Sequence, residues 1–196
     1  MCCQRRANAR RAGECLARYR QGEGRGAVRA ELTIIGAAPA GAYLHHIGST
    51  AVPGLPAKDI IDIQLTVNHL TDVDAGALEQ AGFERRPVVT DHCPPGFDLP
   101  EGELRKAFYR SKGRPANLHV RERGRFNQRY SLLCRDFLRT HPTAASAYAL
   151  IKQRLVQRFP DDVDFYYDIK DPVFDIIVDG ANEWAKLIGW SEPPGD

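Results

Sequence analysis

At 196 residues, with 43% hydrophobic and 27% charged residues, the chain has the composition of an ordinary globular domain large enough for a real core. Its formal charge of +2 is unevenly placed: residues 1–30 hold eight arginines against Glu14 and Glu23, so the remainder sums to −4. A mildly acidic body argues against a nucleic-acid partner, and no apolar run approaches the roughly 18–20 residues of a membrane span.

Residues 1–12 read as disordered, and residues 14–30 as a frayed helix interrupted by Gly22, Gly24 and Gly26. The arginines near the start are not followed by the apolar stretch of a secretion signal. Five cysteines, odd in number and without a C-x-x-C pair, fit a reducing cytosol rather than a disulfide framework. The expected location is therefore cytoplasmic. The domain proper is placed at residues 31–190, behind the basic segment 1–30 and before a short tail, 191–196.

Tyr43 to Ile47 reads as a strand entering a Gly48-Ser49 turn. Ile60 to Val67 is a continuous, β-branched strand with both faces covered. Thr71 to Ala81 reads as a helix stopped by Gly82, and Phe83 to Val89 as a short strand. Residues 91–103, with Pro94, Pro95, Gly96, Pro100 and Gly102, form a loop. Leu104 to Arg110 and Ala116 to Glu122 are two more strands joined through Gly113 and Pro115. After Gly124 the apolar period changes to that of a helix. Phe126, Tyr130, Leu133, Phe137 and Leu138 form one stripe, and Ala144, Tyr148, Ile151, Leu155 and Phe159 a second. Asp171 reads as an N-cap with Pro172 at the first helical position, starting a third stripe from Phe174 to Ile188.

The most informative stretch is His46-Ile47-Gly48-Ser49-Thr50-Ala51-Val52-Pro53-Gly54-Leu55-Pro56-Ala57-Lys58-Asp59-Ile60-Ile61-Asp62-Ile63. A Gly-Ser turn leaves one strand, and the next strand carries a carboxylate at its centre. Backbone amides and a hydroxyl at such a turn can hold phosphate oxygens, and the carboxylate can hold the divalent cation that neutralises them. This stretch, with Gly113-Arg114-Pro115-Ala116-Asn117-Leu118-His119-Val120 and Leu133-Cys134-Arg135-Asp136-Phe137-Leu138-Arg139, resembles the signatures of the GrpB family of the nucleotidyltransferase-fold superfamily. Lys58-Asp59-Ile60-Ile61-Asp62-Ile63-Gln64 is most similar to the GrpB-like domain fused behind dephospho-CoA kinase in actinobacteria. The chain contains no Gly-x-x-x-x-Gly-Lys-Ser/Thr loop. The resemblance implies an α+β fold: a nucleotidyltransferase-like mixed β-sheet followed by C-terminal helices.

In active members of that superfamily, two acids spaced by two project from one strand face onto two metals. Here the partner of Asp62 at that spacing is Gln64, so the site is one acid short. Asp62 and His119 are the catalytic candidates, with Asp62 the Mg²⁺ ligand. His119 can equally be a metal ligand, a general base or a satisfied structural histidine. His46, Gly48, Ser49, Lys58, Gln64 and Arg110 are the candidate binding residues, and Ser49, Asp62, Gln64 and His119 should face one cavity. Lys106, Phe108 and Arg110 share a strand face that suits an anion or guards a sheet edge. Two functions lead, ahead of RNA binding through the arginine-rich residues 1–30. One is an enzyme that binds a nucleotide or phosphorylated small molecule and transfers a nucleotidyl group with Mg²⁺. The other is a non-catalytic accessory or folding domain that keeps the pocket. The oligomeric state is open.

Overall fold

The computed structural model describes residue 34 and residues 37–196, so the expectations for residues 1–30 lie outside the described residues. Among the described residues five strands form one mixed sheet: β1 (Tyr43–Ile47), β2 (Ile61–Val67), β3 (Phe83–Arg86), β4 (Lys106–Ser111) and β5 (Ala116–Glu122), in the order β1-β2-β5-β4-β3. Of these strands β2 and β5 run parallel, and the pairs β1–β2, β3–β4 and β4–β5 are antiparallel. A short helix α1 (Ala75–Gln80) lies between β2 and β3, and α2 (Phe126–Thr140), α3 (Pro142–Arg158) and α4 (Val163–Ile188) follow the sheet. This is the expected α+β order of mixed sheet and then helices.

Strand alternation divides the sheet into two faces. Ile61, Ile63, Leu65 and Val67 of β2 point with Leu118 and Val120 of β5 into a core closed by Leu78 of α1 and Ile34. The opposite face carries Asp62, Gln64 and Thr66, paired in register with Asn117, His119 and Arg121. Helices α2 to α4 cover part of this polar face. They pack on one another through Cys134, Leu138, Tyr148 and Val178, with Val52 and Leu55 of the loop after β1 inserted among them. Among the described residues no helix is long and apolar enough to cross a membrane.

Several elements depart from the sequence reading. The segment expected as one helix from Thr71 splits into a 3₁₀ turn, Leu70–Asp72, and α1, because Asp74 caps the latter by accepting from the Ala77 amide at 2.9 Å. The strand expected to reach Val89 stops at Arg86, and a single bridge, Thr90 to Arg105, resumes the pairing. β4 lies between β5 and β3, so Lys106, Phe108 and Arg110 are on an interior strand and guard no edge. The largest correction concerns Asp171 and Pro172. Helix α4 begins nine residues earlier, where the Asp162 side chain accepts from the Phe165 amide at 2.9 Å, and Pro172 lies inside it. The proline forfeits one intrahelical hydrogen bond, but Val173, Phe174 and Ile177 beside it pack against α2 and α3. That burial outweighs the local preference.

The segment after α4 returns to the sheet. Glu192 accepts from Gln128 at 2.6 Å, and the Asp196 amide donates to the Leu44 carbonyl at 2.9 Å. The His46 amide donates to Asp196 Oδ2 at 2.8 Å, and His45 Nε2 lies 3.1 Å from both the Pro193 and Pro194 carbonyls. The outer edge of β1 is thereby covered.

Candidate functional site

Between the polar face of the sheet and the helices lies a cavity of about 730 Å³. Asp62, Asn117, His119, Phe108 and Arg110 make its floor. The Gly48-Ser49 turn and Lys58 make one wall, and Tyr148, Lys152, Tyr166 and Lys170 of α3 and α4 the facing one.

The turn is built for close approach. β1 ends at Ile47, which is paired with Asp62, and Gly48 then takes φ 71° and ψ −167°, a conformation essentially confined to glycine. A Cβ at Gly48 would lie 2.6 Å from Asp62 Oδ2. Ser49 opens a 3₁₀ turn, Ser49–Ala51, and its Oγ accepts from Lys152 Nζ at 2.7 Å. The same Nζ donates to the Pro56 carbonyl at 2.9 Å. Lys152 is buried. Burial first, and then the charges of Lys170 and Lys58, push its amine down to about 7, with Asp62 opposing.

Asp62 Oδ1 accepts from Asn117 Nδ2 at 2.8 Å and faces His119 Nε2 at 3.7 Å. Burial would raise the Asp62 carboxyl, but His119 and Asn117 outweigh it and hold the carboxyl below its ordinary range. Burial lowers the His119 imidazole, and Arg121 adds to the effect against the attraction of Asp62. His119 also packs against Phe108, with ring centroids 4.9 Å apart. Arg110 Nε donates to Asn117 Oδ1 at 3.4 Å. Lys58 Nζ stands 5.2 Å from the Tyr166 ring centre.

The structure thus brings Gly48, Ser49, Lys58, Asp62, Arg110 and His119 to one cavity. Two expected members do not face it. Gln64 does share the sheet face of Asp62, but α2 lies over it. Its Oε1 accepts from Arg121 Nη1 at 2.6 Å and its Nε2 donates to the Gln128 carbonyl at 3.1 Å, leaving the side chain with no exposed surface. The register sets His46 opposite Ile63, on the other face, and its ring bonds Thr50 Oγ1 at 2.8 Å. His45 is the residue set opposite Gln64.

These donors do not fit a pair of magnesium ions. Mg²⁺ asks for several hard oxygen ligands; among the described residues Asp62 is the one carboxylate of the floor, flanked by an amide and an imidazole, and Asp171 on the cavity wall is paired with Lys170 at 2.8 Å. Asp91, at the rim, is already committed. Arg121 holds it at 2.8 and 3.1 Å, Lys106 at 2.5 Å and Asn127 at 3.0 Å. Among the described residues, no three His, Cys, Asp or Glu side chains converge as metal ligands.

Sequence reasoning missed Lys152, Lys170 and Asp91. Lys152 carried a legible signal: it falls at i+4 from Tyr148 and i−3 from Leu155, inside the apolar stripe of α3 rather than on its wet face. Lys170 was hidden by placing the start of the last helix after it. Asp91 sits in a loop whose sequence carries no signal of its partner Arg121.

A sequence profile of the GrpB protein family matches residues 23–179. The chain is 33% identical over 168 residues to a dephospho-CoA kinase of Mycolicibacterium paratuberculosis, covering 74% of this chain and 40% of that protein. It is 30% identical over 145 residues to the UPF0157 protein YqkA of Bacillus subtilis, covering 73% of this chain and 39% of that protein. To the UPF0157 protein SCO7215 of Streptomyces coelicolor it is 34% identical over 142 residues, covering 71% and 69%. The chain spans about two fifths of the length of the first two relatives. The crystal structure of conserved protein GrpB from Enterococcus faecalis superposes with a TM-score of 0.59 at 27% identity, covering 81% of this chain and 90% of that one. With the profile spanning most of the residues that build the sheet, the cavity and its helical wall, the chain belongs to the GrpB family.

Proposed function

We propose that the chain binds a nucleotide or another phosphorylated small molecule in this cavity, and that lysines rather than a metal pair neutralise the phosphates. The observation that carries this reading is that Lys58, beside the Gly48-Ser49 turn, and Lys170, on the facing wall, line one cavity. Phosphate oxygens gain charge-assisted hydrogen bonds from ammonium groups, and a partly buried site strengthens them. Phe108, Tyr148, Tyr166 and Phe174 offer flat apolar surface for a base. With Asp62 as the only floor carboxylate among the described residues, two-metal nucleotidyl transfer is not part of the proposal. The dephospho-CoA kinases among the relatives make dephospho-CoA and CoA the first compounds to try, since each joins an adenine to phosphates.

A second reading, an accessory domain that supports the folding of a partner, draws on the two-fifths match to those kinases. A thermal-shift titration separates the two. ATP, dephospho-CoA and CoA are added in EDTA and in Mg²⁺, and the melting temperature is followed; saturation at about 100 Kd adds about 2.7 kcal/mol of stability. The binding reading expects a rise in EDTA that is lost in Lys170→Ala. No rise with any of these compounds, or a rise that requires Mg²⁺, overturns it.

A further inference from the structure

We propose that Ser49 and Lys152 form a nucleophile–base pair that opens acyl esters, with the phosphorylated alcohol of the ester held by Lys58 and Lys170. The substrate class rests on the cavity reading above; the pair rests on geometry of its own. A serine nucleophile needs a base within hydrogen-bond reach and a further group that orients the base. Here Nζ is 2.7 Å from Ser49 Oγ, and the Pro56 carbonyl fixes the amine from the other side at 2.9 Å. Ser49 also stands at a sharp strand-to-helix turn, with Gly48 at φ 71° before it and Ser49–Ala51 after it. Such a turn presents the hydroxyl to the cavity, which both residues line.

Charge makes the lysine a usable base. Lys170 of α4 and Lys58 of the loop oppose a charge on Lys152 and Asp62 of β2 favours it; Lys170 is itself paired with Asp171 at 2.8 Å, and the Tyr148 ring of α3 lies 5.2 Å from Lys152. Burial first, and then the nearby cations, bring the amine down to about 7, so a sizeable neutral fraction is present at neutral pH. When Lys152 is charged it donates to Ser49; when it is neutral the same contact becomes Oγ–H donating to Nζ. The step then balances. Oγ attacks the acyl carbon as its proton passes to Nζ, the ester C–O bond breaks, and the departing alkoxide takes the proton from Nζ. The products are a seryl ester and the free alcohol. Water adds to the seryl ester by the same route, giving its proton to Nζ and the acid as product, and Oγ is reprotonated. A purely structural role, in which Lys152 only ties the turn to α3, leaves Ser49 an ordinary unreactive hydroxyl.

The test uses the full chain and a fluorophosphonate ester, whose P–F bond breaks as the Oγ–P bond forms. Peptide mass spectrometry should place one adduct on Ser49, and the labelling rate should rise with pH through about 7. Lys152→Arg keeps a charged donor but cannot act as a base. It should slow labelling about 100-fold or more, the usual weight of general-base catalysis. Wild-type protein without an adduct on Ser49, a pH-independent rate, or undiminished labelling of Lys152→Arg would each overturn the pair. The wild-type measurements decide the question even if the variant fails to fold. An adduct on Ser49 in a protein that no nucleotide stabilises keeps the pair and removes the cavity reading. A nucleotide-dependent shift without an adduct removes the pair alone.

Discussion

Replacing Gly48 by alanine should be among the most damaging single-methyl changes in this protein. Two terms add. The backbone at φ 71° and ψ −167° is nearly closed to residues with a side chain, at a strain of about 1–3 kcal/mol. The new Cβ would also lie 2.6 Å from Asp62 Oδ2 and 3.0 Å from Asp62 Cβ. Overpacking of that kind costs about 1–3 kcal/mol. Asp62 cannot swing away freely, because Asn117 holds its other oxygen at 2.8 Å. The expected loss is about 4 kcal/mol in urea denaturation, which at a slope of about 2 kcal/mol/M lowers the midpoint by about 2 M. Asp62→Ala removes the carboxylate but not the backbone strain. In that background Gly48→Ala should therefore cost about 1–2 kcal/mol less, a coupling that a double-mutant cycle measures directly. A loss under about 1 kcal/mol in the wild-type background, or no coupling, would refute this account of the turn.

Lys152 sets a pH dependence. Its amine is pushed down from 10.5 to about 7, so between those values the unfolded chain binds more protons than the folded one, and stability rises with pH across that window. Below pH 7 the full burial penalty is present. Melting temperatures from pH 6 to 10 should show this slope in the wild type and a flatter one in Lys152→Met; parallel profiles would rule it out. Gln64→Asp should not create a metal site. The shorter acid cannot span Arg121 and the Gln128 carbonyl, so a loss of about 1–3 kcal/mol is expected in denaturant, without any Mg²⁺-dependent gain in melting temperature. Asp91→Ala should cost about 3–5 kcal/mol in the same assay, because it strands Arg121 and Lys106, which are 4% and 8% exposed. A change below about 1 kcal/mol would mean that water reaches both cations.

The strands that carry the floor were legible because their signals are local. Tyr43–Ile47 and Ala116–Glu122 form where alternation places them, and Gly48 turns the chain as its sequence neighbours suggest. Parity along β2 also placed Asp62 and Gln64 on one face. What parity cannot supply is the element stacked above that face, so α2 over Gln64 was invisible, and with it the pairing to Arg121. Pro172 misled because its preference for a first helical turn is a local rule, whereas the extent of α4 is set by apolar residues packed from other helices. Lys152 shows the converse. A lysine inside an apolar stripe is a conflict within a single helix, and here such a conflict marks the cavity wall.

The tail laid along β1 has a consequence for the order in which the molecule can assemble. His46 meets Asp196 across 150 residues of chain, and Asp62 meets Asn117 across 55. Contacts so distant in sequence close late, since the entropy of a large loop must be overcome before they contribute. A chain emerging vector-wise from the ribosome can pair β3 with β4 and β4 with β5 early. It must wait for residues 192–196 to screen the open backbone of β1. Until then that strand is a free template for a neighbouring nascent chain. The order of synthesis therefore makes binding competence depend on residues that follow the whole sheet in the chain. Stalled or clipped chains should be recognised by self-association before they are recognised by lost function.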